Sequence, residues 1–132
     1  MRAIDTNVLC RLLVRDDAAQ TAAAEEFVAK GAWVSLLVLA ETTWVLESVY
    51  ERPPAAIHAA IVMLCNHRQL TIQDVDVVAA ALAHFAKRPA LGFSDCLVVE
   101  IARKAGHVPL GSFDRGLGKL PGTQRIPGKK ST

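Results

Sequence analysis

Four acids are the residues best placed to do chemistry: Asp5, Glu41, Asp95 and Asp114. Asp5 ends the short run Arg2-Ala3-Ile4 and precedes Thr6, Asn7 and an apolar pattern that begins at Val8. Glu41 directly follows five apolar residues, and its helical neighbours Leu37, Val38, Trp44 and Val45 are all apolar. A carboxylate in such surroundings must be paired, protonated or bound to a metal. Asp95 opens a segment whose apolar positions continue at Val98, Val99 and Ala102, so its side chain is expected to point inward with that stripe. Asp114 follows Ser112-Phe113, just beyond a strand candidate.

Each acid alone has a structural explanation. Asp5 can cap the helix after it, Asp95 can complement its helix dipole, Asp114 can form a turn with Gly116, and Glu41 can pair with a buried arginine. Together they suggest more. Four separate segments would bring carboxylates toward one edge of one sheet, where their repulsion is severe unless a cation neutralises it. Oxygen ligands without Cys or His suit Mg²⁺ or Mn²⁺ and argue against zinc. Such an ion activates water and stabilises charge on a phosphoryl group, which makes phosphodiester hydrolysis the natural reaction. No covalent nucleophile is needed.

The elements that must hold these acids follow from periodicity. Residues 2–4 form a strand candidate, and residues 7–14 a helix with Val8, Leu9, Leu12 and Leu13 on one face and Thr6 or Asn7 as N-cap. Asp16 and Asp17 open a second helix to about residue 30, with Ala22, Ala23, Phe27 and Val28 as its apolar side, stopped by Gly31. Residues 32–35 are a strand candidate. Residues 36–50 form a helix that is apolar nearly all round, which marks it as central and buried. Pro53 and Pro54 separate it from a helix at about 55–67. A strand is expected at 69–73, and an Ala-rich helix over 75–87, closed by Pro89. Ser94 caps a helix to residue 105, with Arg103 and Lys104 in its last turn and Gly106 beyond. Residues 108–110 and 124–126 are further strand candidates. Strands alternating with helices imply a parallel-rich sheet with helices on both faces, and ligands then bind outside the carboxyl ends of the strands.

A length of 132 residues fits one domain over residues 1–132, with about 127–132 as a flexible tail. With 52% hydrophobic and only 5% aromatic residues the core must be aliphatic, in a globular rather than a disordered chain. No apolar run approaches a membrane span, and Asp5 interrupts any signal-like start, so a soluble cytoplasmic protein is expected. Cys10, Cys65 and Cys96 share no metal-binding spacing and fit a reducing compartment as small hydrophobes. A net charge of +2 is too small to demonstrate a nucleic-acid partner.

The order of these motifs resembles the PIN-domain ribonucleases, and most closely the VapC-type toxins of type II toxin–antitoxin (VapBC) systems. The resemblance covers about residues 2–126 and rests on Ile4-Asp5-Thr6-Asn7-Val8-Leu9, on Glu41 in the helix after Ser35, on Ser94-Asp95 opening a late helix, and on Ser112-Phe113-Asp114. It implies a three-layer α/β/α sandwich with a parallel-rich central sheet of four to five short strands. It implies that Asp5, Glu41, Asp95 and Asp114 form an acidic site for Mg²⁺ or Mn²⁺, with Thr6, Asn7 and Ser112 in support. Ser112 stands where the family often has Thr, and Ser94 where it often has Ala. The activity implied is metal-dependent hydrolysis of RNA by a toxin. The partners implied are an RNA substrate and a small VapB-like antitoxin, with a homodimer and a heterotetramer or larger assembly. The helices of residues 36–50 and 55–64 are candidates to wall the antitoxin groove. The alternatives are a housekeeping PIN nuclease without an antitoxin and a non-catalytic RNA-binding or interaction module.

Arg11, Arg15, Arg88, Arg115 and Lys119 are candidates for phosphate contacts, with Arg115 foremost because it adjoins Asp114. His58, His67, His84 and His107 lack ligand spacing and are assigned to surface or packing. Trp33 and Trp44 flank the strand–helix unit taken as buried and are assigned to the core rather than to base stacking.

Overall fold

The computed structural model describes residues 1–128. The expected tail at 127–132 lies mostly outside the described residues. Contacts along the chain divide it into two compact units, the first Met1–Val75 and the second from Asp76 onward. Among the described residues, six helices and five strands, with every strand pair parallel, place the protein in the α/β class and accord with the α/β/α sandwich expected.

In the first unit, β1 (Arg2–Ala3), β2 (Ala32–Val34) and β3 (Leu70–Ile72) form one parallel sheet in that order. Ala3 pairs with Trp33, and Val34 with Ile72. Ala32 and Val34 on the central strand are fully buried. The connections are helical: α1 (Thr6–Val14), α2 (Ala18–Val28), α3 (Leu36–Ser48) and α4 (Pro54–Cys65). Leu9, Val28, Leu39, Ile61 and Leu64 close the core almost without exposure.

Three expectations for this unit are corrected. The N-cap of α1 is Asp5 rather than Thr6 or Asn7; its Oδ1 accepts from the Val8 N–H at 3.1 Å. The inward face of α2 is Thr21, Ala24 and Val28, while Ala22 and Ala23 are exposed. Alanine-rich stretches define no face by composition, and packing selects the i, i+3, i+7 line. Phe27, counted as core, lies at the surface beneath the Arg2 guanidinium, 3.8 Å from its ring centre.

The third concerns α3. It is amphipathic in structure although not in composition. Leu36, Leu39, Thr43 and Leu46 face inward; Leu37, Glu41, Trp44 and Ser48, spaced by four, three and four, face solvent. Trp44 is 65% exposed and Leu37 69% exposed, so Trp44 is no core residue.

In the second unit, α5 (Val75–Lys87, beginning at the boundary) leads through a 3₁₀ turn at Pro89–Leu91 to α6 (Phe93–Lys104). Next come β4 (Leu110–Ser112), a 3₁₀ turn at Leu117–Lys119 and β5 (Thr123–Arg125), which pairs with β4 in parallel. Val78, Ala81, Phe85, Phe93, Cys96 and Leu97 form the core here, with Phe85 and Phe93 edge to face at 6.1 Å. Gly92, at φ +81°, occupies the N-cap of α6 instead of Ser94. The buried residues of α6 are Phe93, Cys96, Leu97, Val99 and Glu100, so of the expected stripe Val99 does face inward. Asp95 therefore sits half-buried beside the stripe, and Val98 is 48% exposed.

Candidate active site

The first unit holds Asp5 and Glu41. Asp5 follows the carboxyl end of β1, where the Ile4 N–H donates to the Trp33 carbonyl at 3.2 Å and prolongs the ladder. The chain then turns into α1. Capping engages Oδ1 alone, and the residue is exposed. The side chains of Thr6 and Asn7 make no hydrogen bond to Asp5 among the described residues; Thr6 is half-buried and Asn7 exposed.

Glu41 rides on α3, which starts at the carboxyl end of β2. Two bonds fix that start: Ser35 Oγ accepts from the Val38 N–H at 3.1 Å, and Gln73 Oε1 accepts from the Leu36 N–H at 2.9 Å. Glu41 is exposed, between Leu37 and Trp44 on the outer flank. The buried environment expected for it is absent, because α3 turns this flank outward. A carboxylate at this position has no need of a partner to be tolerated.

The second unit holds Asp95 and Asp114. Asp95 stands in the first turn of α6. Asp114 is held in a tight turn: its N–H donates to Ser112 Oγ at 3.0 Å, its Oδ1 accepts from the Gly116 N–H at 3.0 Å, and its carbonyl accepts from the Gly118 N–H at 3.0 Å. Ser112 thus supports Asp114 through the main chain. Partial burial, followed by the negative charge of Asp114, pushes the Asp95 carboxyl above the usual carboxylate range. The two acids are therefore electrostatic neighbours. The field extends to Cys96, whose thiol burial pushes up to about 11, with Asp95 and Glu100 adding to the effect. Cys96 stays protonated and is no nucleophile.

The donor chemistry fits a hard divalent ion. Magnesium-like ions keep several waters and need only one or two protein carboxylates beside substrate phosphates. Asp95 and Asp114 meet that requirement. No group of three or more His, Cys, Asp or Glu side chains suited to a metal occurs among the described residues.

Of the basic candidates, Arg11 is committed elsewhere: its guanidinium pairs with Asp16 at 2.7 Å. Arg15 pairs with Glu25 at 3.2 Å. Arg115 is exposed beside Asp114 and stays available for an anionic ligand.

Sequence reasoning missed one cluster, and with it a role for His84. Glu100 is 6% exposed and accepts from His84 Nε2 at 3.1 Å and from Arg103 Nε at 3.2 and 3.3 Å. Arg103 also donates to the Pro121 carbonyl at 2.6 Å. The signal was present in the spacing, since Glu100 continues the Phe93, Cys96, Leu97 stripe at i+7, i+4 and i+3.

Among the described residues no helix is long and apolar enough to cross a membrane. Residues 3–122 match the family model described as PIN domain. No curated protein matches the chain.

Proposed function

The chain belongs to the PIN-domain family, whose members are generally nucleases acting on nucleic acids, and from that premise we propose a metal-dependent endoribonuclease that serves as the VapC-type toxin of a toxin–antitoxin pair in the cytoplasm, the whole chain acting as one nuclease domain. The observation that carries the reading is the Asp95–Asp114 pair: two neighbouring carboxylates, one pushed above its usual range partly by the other, while the nearby Arg103 and Lys104 are paired with Glu100 and Asp76. Such repulsion is a cost to the fold that binding a cation relieves.

On this reading Asp95 and Asp114 hold Mg²⁺ or Mn²⁺, and Asp5 and Glu41 belong to the same functional set of acids. The ion when bound supplies an activated water and stabilises charge on the phosphoryl group. The other tasks fall to the chain. Ser112 and the Gly116 N–H fix the Asp114 turn, so the carboxylate is oriented before substrate arrives. Arg115 offers a guanidinium to an RNA phosphate. Thr6 and Asn7, in the first turn of α1, support Asp5 through solvent. The antitoxin has a suitable cleft in the first unit, about 230 Å³, with Leu13 and Val14 of α1, Leu46 of α3, and Ala56, Ala60 and Met63 of α4 among its walls. Homodimers and their complexes with antitoxin are part of the same proposal.

A second reading, a non-catalytic RNA-binding module, draws support from the absence of a three-residue metal group among the described residues. One experiment separates the two. RNA is incubated with the purified full chain, and new 5′ ends are mapped with Mg²⁺, with EDTA, and with Asp5→Asn or Asp95→Asn in place of the wild type. The expected result is cleavage that EDTA stops, that Mg²⁺ or Mn²⁺ restores, and that both substitutions abolish. Cleavage by Asp95→Asn at the wild-type rate refutes the catalytic role given to the pair.

A further inference from the structure

We infer that Arg103, braced by Glu100, is a positioning residue that sets the separation of the Asp95 and Asp114 carboxylates, an inference that rests on reading those two acids as ligands of the ion. The connection can be followed bond by bond. Asp95, Glu100 and Arg103 lie on successive turns of α6. Glu100 faces inward and fixes Arg103 Nε at 3.2–3.3 Å while receiving His84 of α5 at 3.1 Å. The far end of the same guanidinium donates to the Pro121 carbonyl at 2.6 Å. The next residue, Gly122, accepts from the Leu110 N–H at 2.8 Å, at the start of β4. Strand β4 ends at Ser112, whose hydroxyl receives the Asp114 N–H. One guanidinium therefore couples the helix that carries Asp95 to the strand that delivers Asp114.

Gly122 shows how closely the turn and the guanidinium fit. A Cβ there would lie 2.6 Å from Arg103 Nη2 and 3.0 Å from Cζ, and φ is +83°. A side chain here would have to displace the guanidinium, and the positive φ itself favours glycine. A buried carboxylate is also an uneconomical way to gain stability, since a well-packed apolar side chain would serve as well or better. What a fork-shaped guanidinium between a carboxylate and a carbonyl adds is a fixed distance and angle. A carboxylate pair that takes an ion needs such a fixed spacing.

The test is Mn²⁺ binding to the full chain, followed by electron paramagnetic resonance well below the unfolding temperature. Wild type is compared with Asp95→Asn, Arg103→Gln, Arg103→Lys and Gly122→Ala, the last reaching the same contact from the turn. Arg103→Gln and Gly122→Ala are expected to weaken Mn²⁺ about tenfold or more, the usual scale for groups that orient ligands. KM for RNA at saturating Mn²⁺ should remain near that of wild type. Lysine keeps the charge but not the fork and should fail to rescue. Wild-type affinity in Arg103→Gln, with binding lost in Asp95→Asn, overturns the positioning role and leaves the metal site standing. Wild-type affinity in Asp95→Asn overturns the metal reading itself, and this inference with it.

Discussion

Glu100→Gln offers the sharpest check on how the second unit is held together. The carboxylate is 7% exposed in its side chain and takes hydrogen bonds from His84, 23% exposed, and Arg103, 41% exposed. A carboxylate can only accept, so the His84 Nε2 must carry the proton it presents. Glutamine keeps the shape and one accepting oxygen but points its amide hydrogens at one of two donors. A hydrogen bond to a charged group contributes about 1.5–3 kcal/mol. The Arg103 contact lies near the bottom of that range because solvent screens it. The His84 contact, deeper in the fold, keeps more of its strength. The expected loss is about 2–3 kcal/mol, less than the ~3–5 kcal/mol of a fully buried pair because both donors can turn toward water. For a chain of 132 residues each kcal/mol moves Tm by about 4 °C, so Tm should fall by roughly 8–12 °C. Thermal melts followed by circular dichroism at neutral pH measure it. A fall of less than about 2 °C would show that the cluster contributes no appreciable stability and would refute the hydrogen-bond account of why Glu100 is buried.

Other expected outcomes concern the acids and the exposed flank of α3. Asp5→Ala should remove the cap of α1 and cost about 0.5–2 kcal/mol, whereas Asp5→Ser, which can still cap, should recover most of that stability and yet cleave no RNA. Equal loss of stability in the two variants, read by urea titration, would contradict the capping role. For Asp95 the folded carboxyl lies above the ordinary 3.8, so its ionisation destabilises the fold as pH rises from that value through the raised one. In EDTA, Asp95→Asn should therefore melt higher than wild type at neutral pH, and the difference should vanish once the solution is acid enough to protonate both states. Saturating Mg²⁺ should raise Tm of the wild type and leave Asp95→Asn unmoved. Trp44→Ala, at a 65% exposed position, should change stability by no more than about 0.5 kcal/mol, and a drop of several kcal/mol in the same titration would place the indole in a core after all.

Most strands and helices were legible because their signals are local, although β4 lies at Leu110–Ser112 rather than at 108–110. Gly31 at φ +97° ends the turn after α2, Pro54 opens α4, and the alternation of Leu70 and Ile72 gives β3. What the sequence concealed was the facing of elements whose composition is nearly uniform. Five of the eleven residues 18–28 are alanine, and the apolar residues of 36–48 fall nearly all round the helix, so no periodicity distinguishes the flank that packs. Burial there is decided by neighbours far along the chain. Helix α3 packs against α1 and α4; its Leu39 and Leu46 are buried, and Leu37 and Trp44 stay outside. The same uncertainty placed Glu41 among buried residues. On α6 a stripe taken from Asp95 finds the buried Val99 but also the exposed Val98, and one taken from Phe93 adds Cys96, Leu97 and the buried Glu100.

The four acids now differ in kind, and the difference follows from how each is anchored. Asp5 and Asp114 each commit one oxygen to a backbone N–H, at 3.1 and 3.0 Å, and so have one oxygen oriented away from that bond. A carboxylate fixed in this way loses little further freedom when it binds a ligand, which lowers the entropic cost of binding. The bland structural roles, a helix cap and an Asx turn, thus do not compete with chemistry at these positions; they preorganise it. Asp95 is prepared by other means, its charge made unfavourable by partial burial and by Asp114. Glu41 has neither preparation and stands exposed on α3. Substitution at Asp95 should therefore trade activity for stability, substitution at Asp5 should lower both, and substitution at Glu41 should leave stability nearly untouched whatever it does to cleavage.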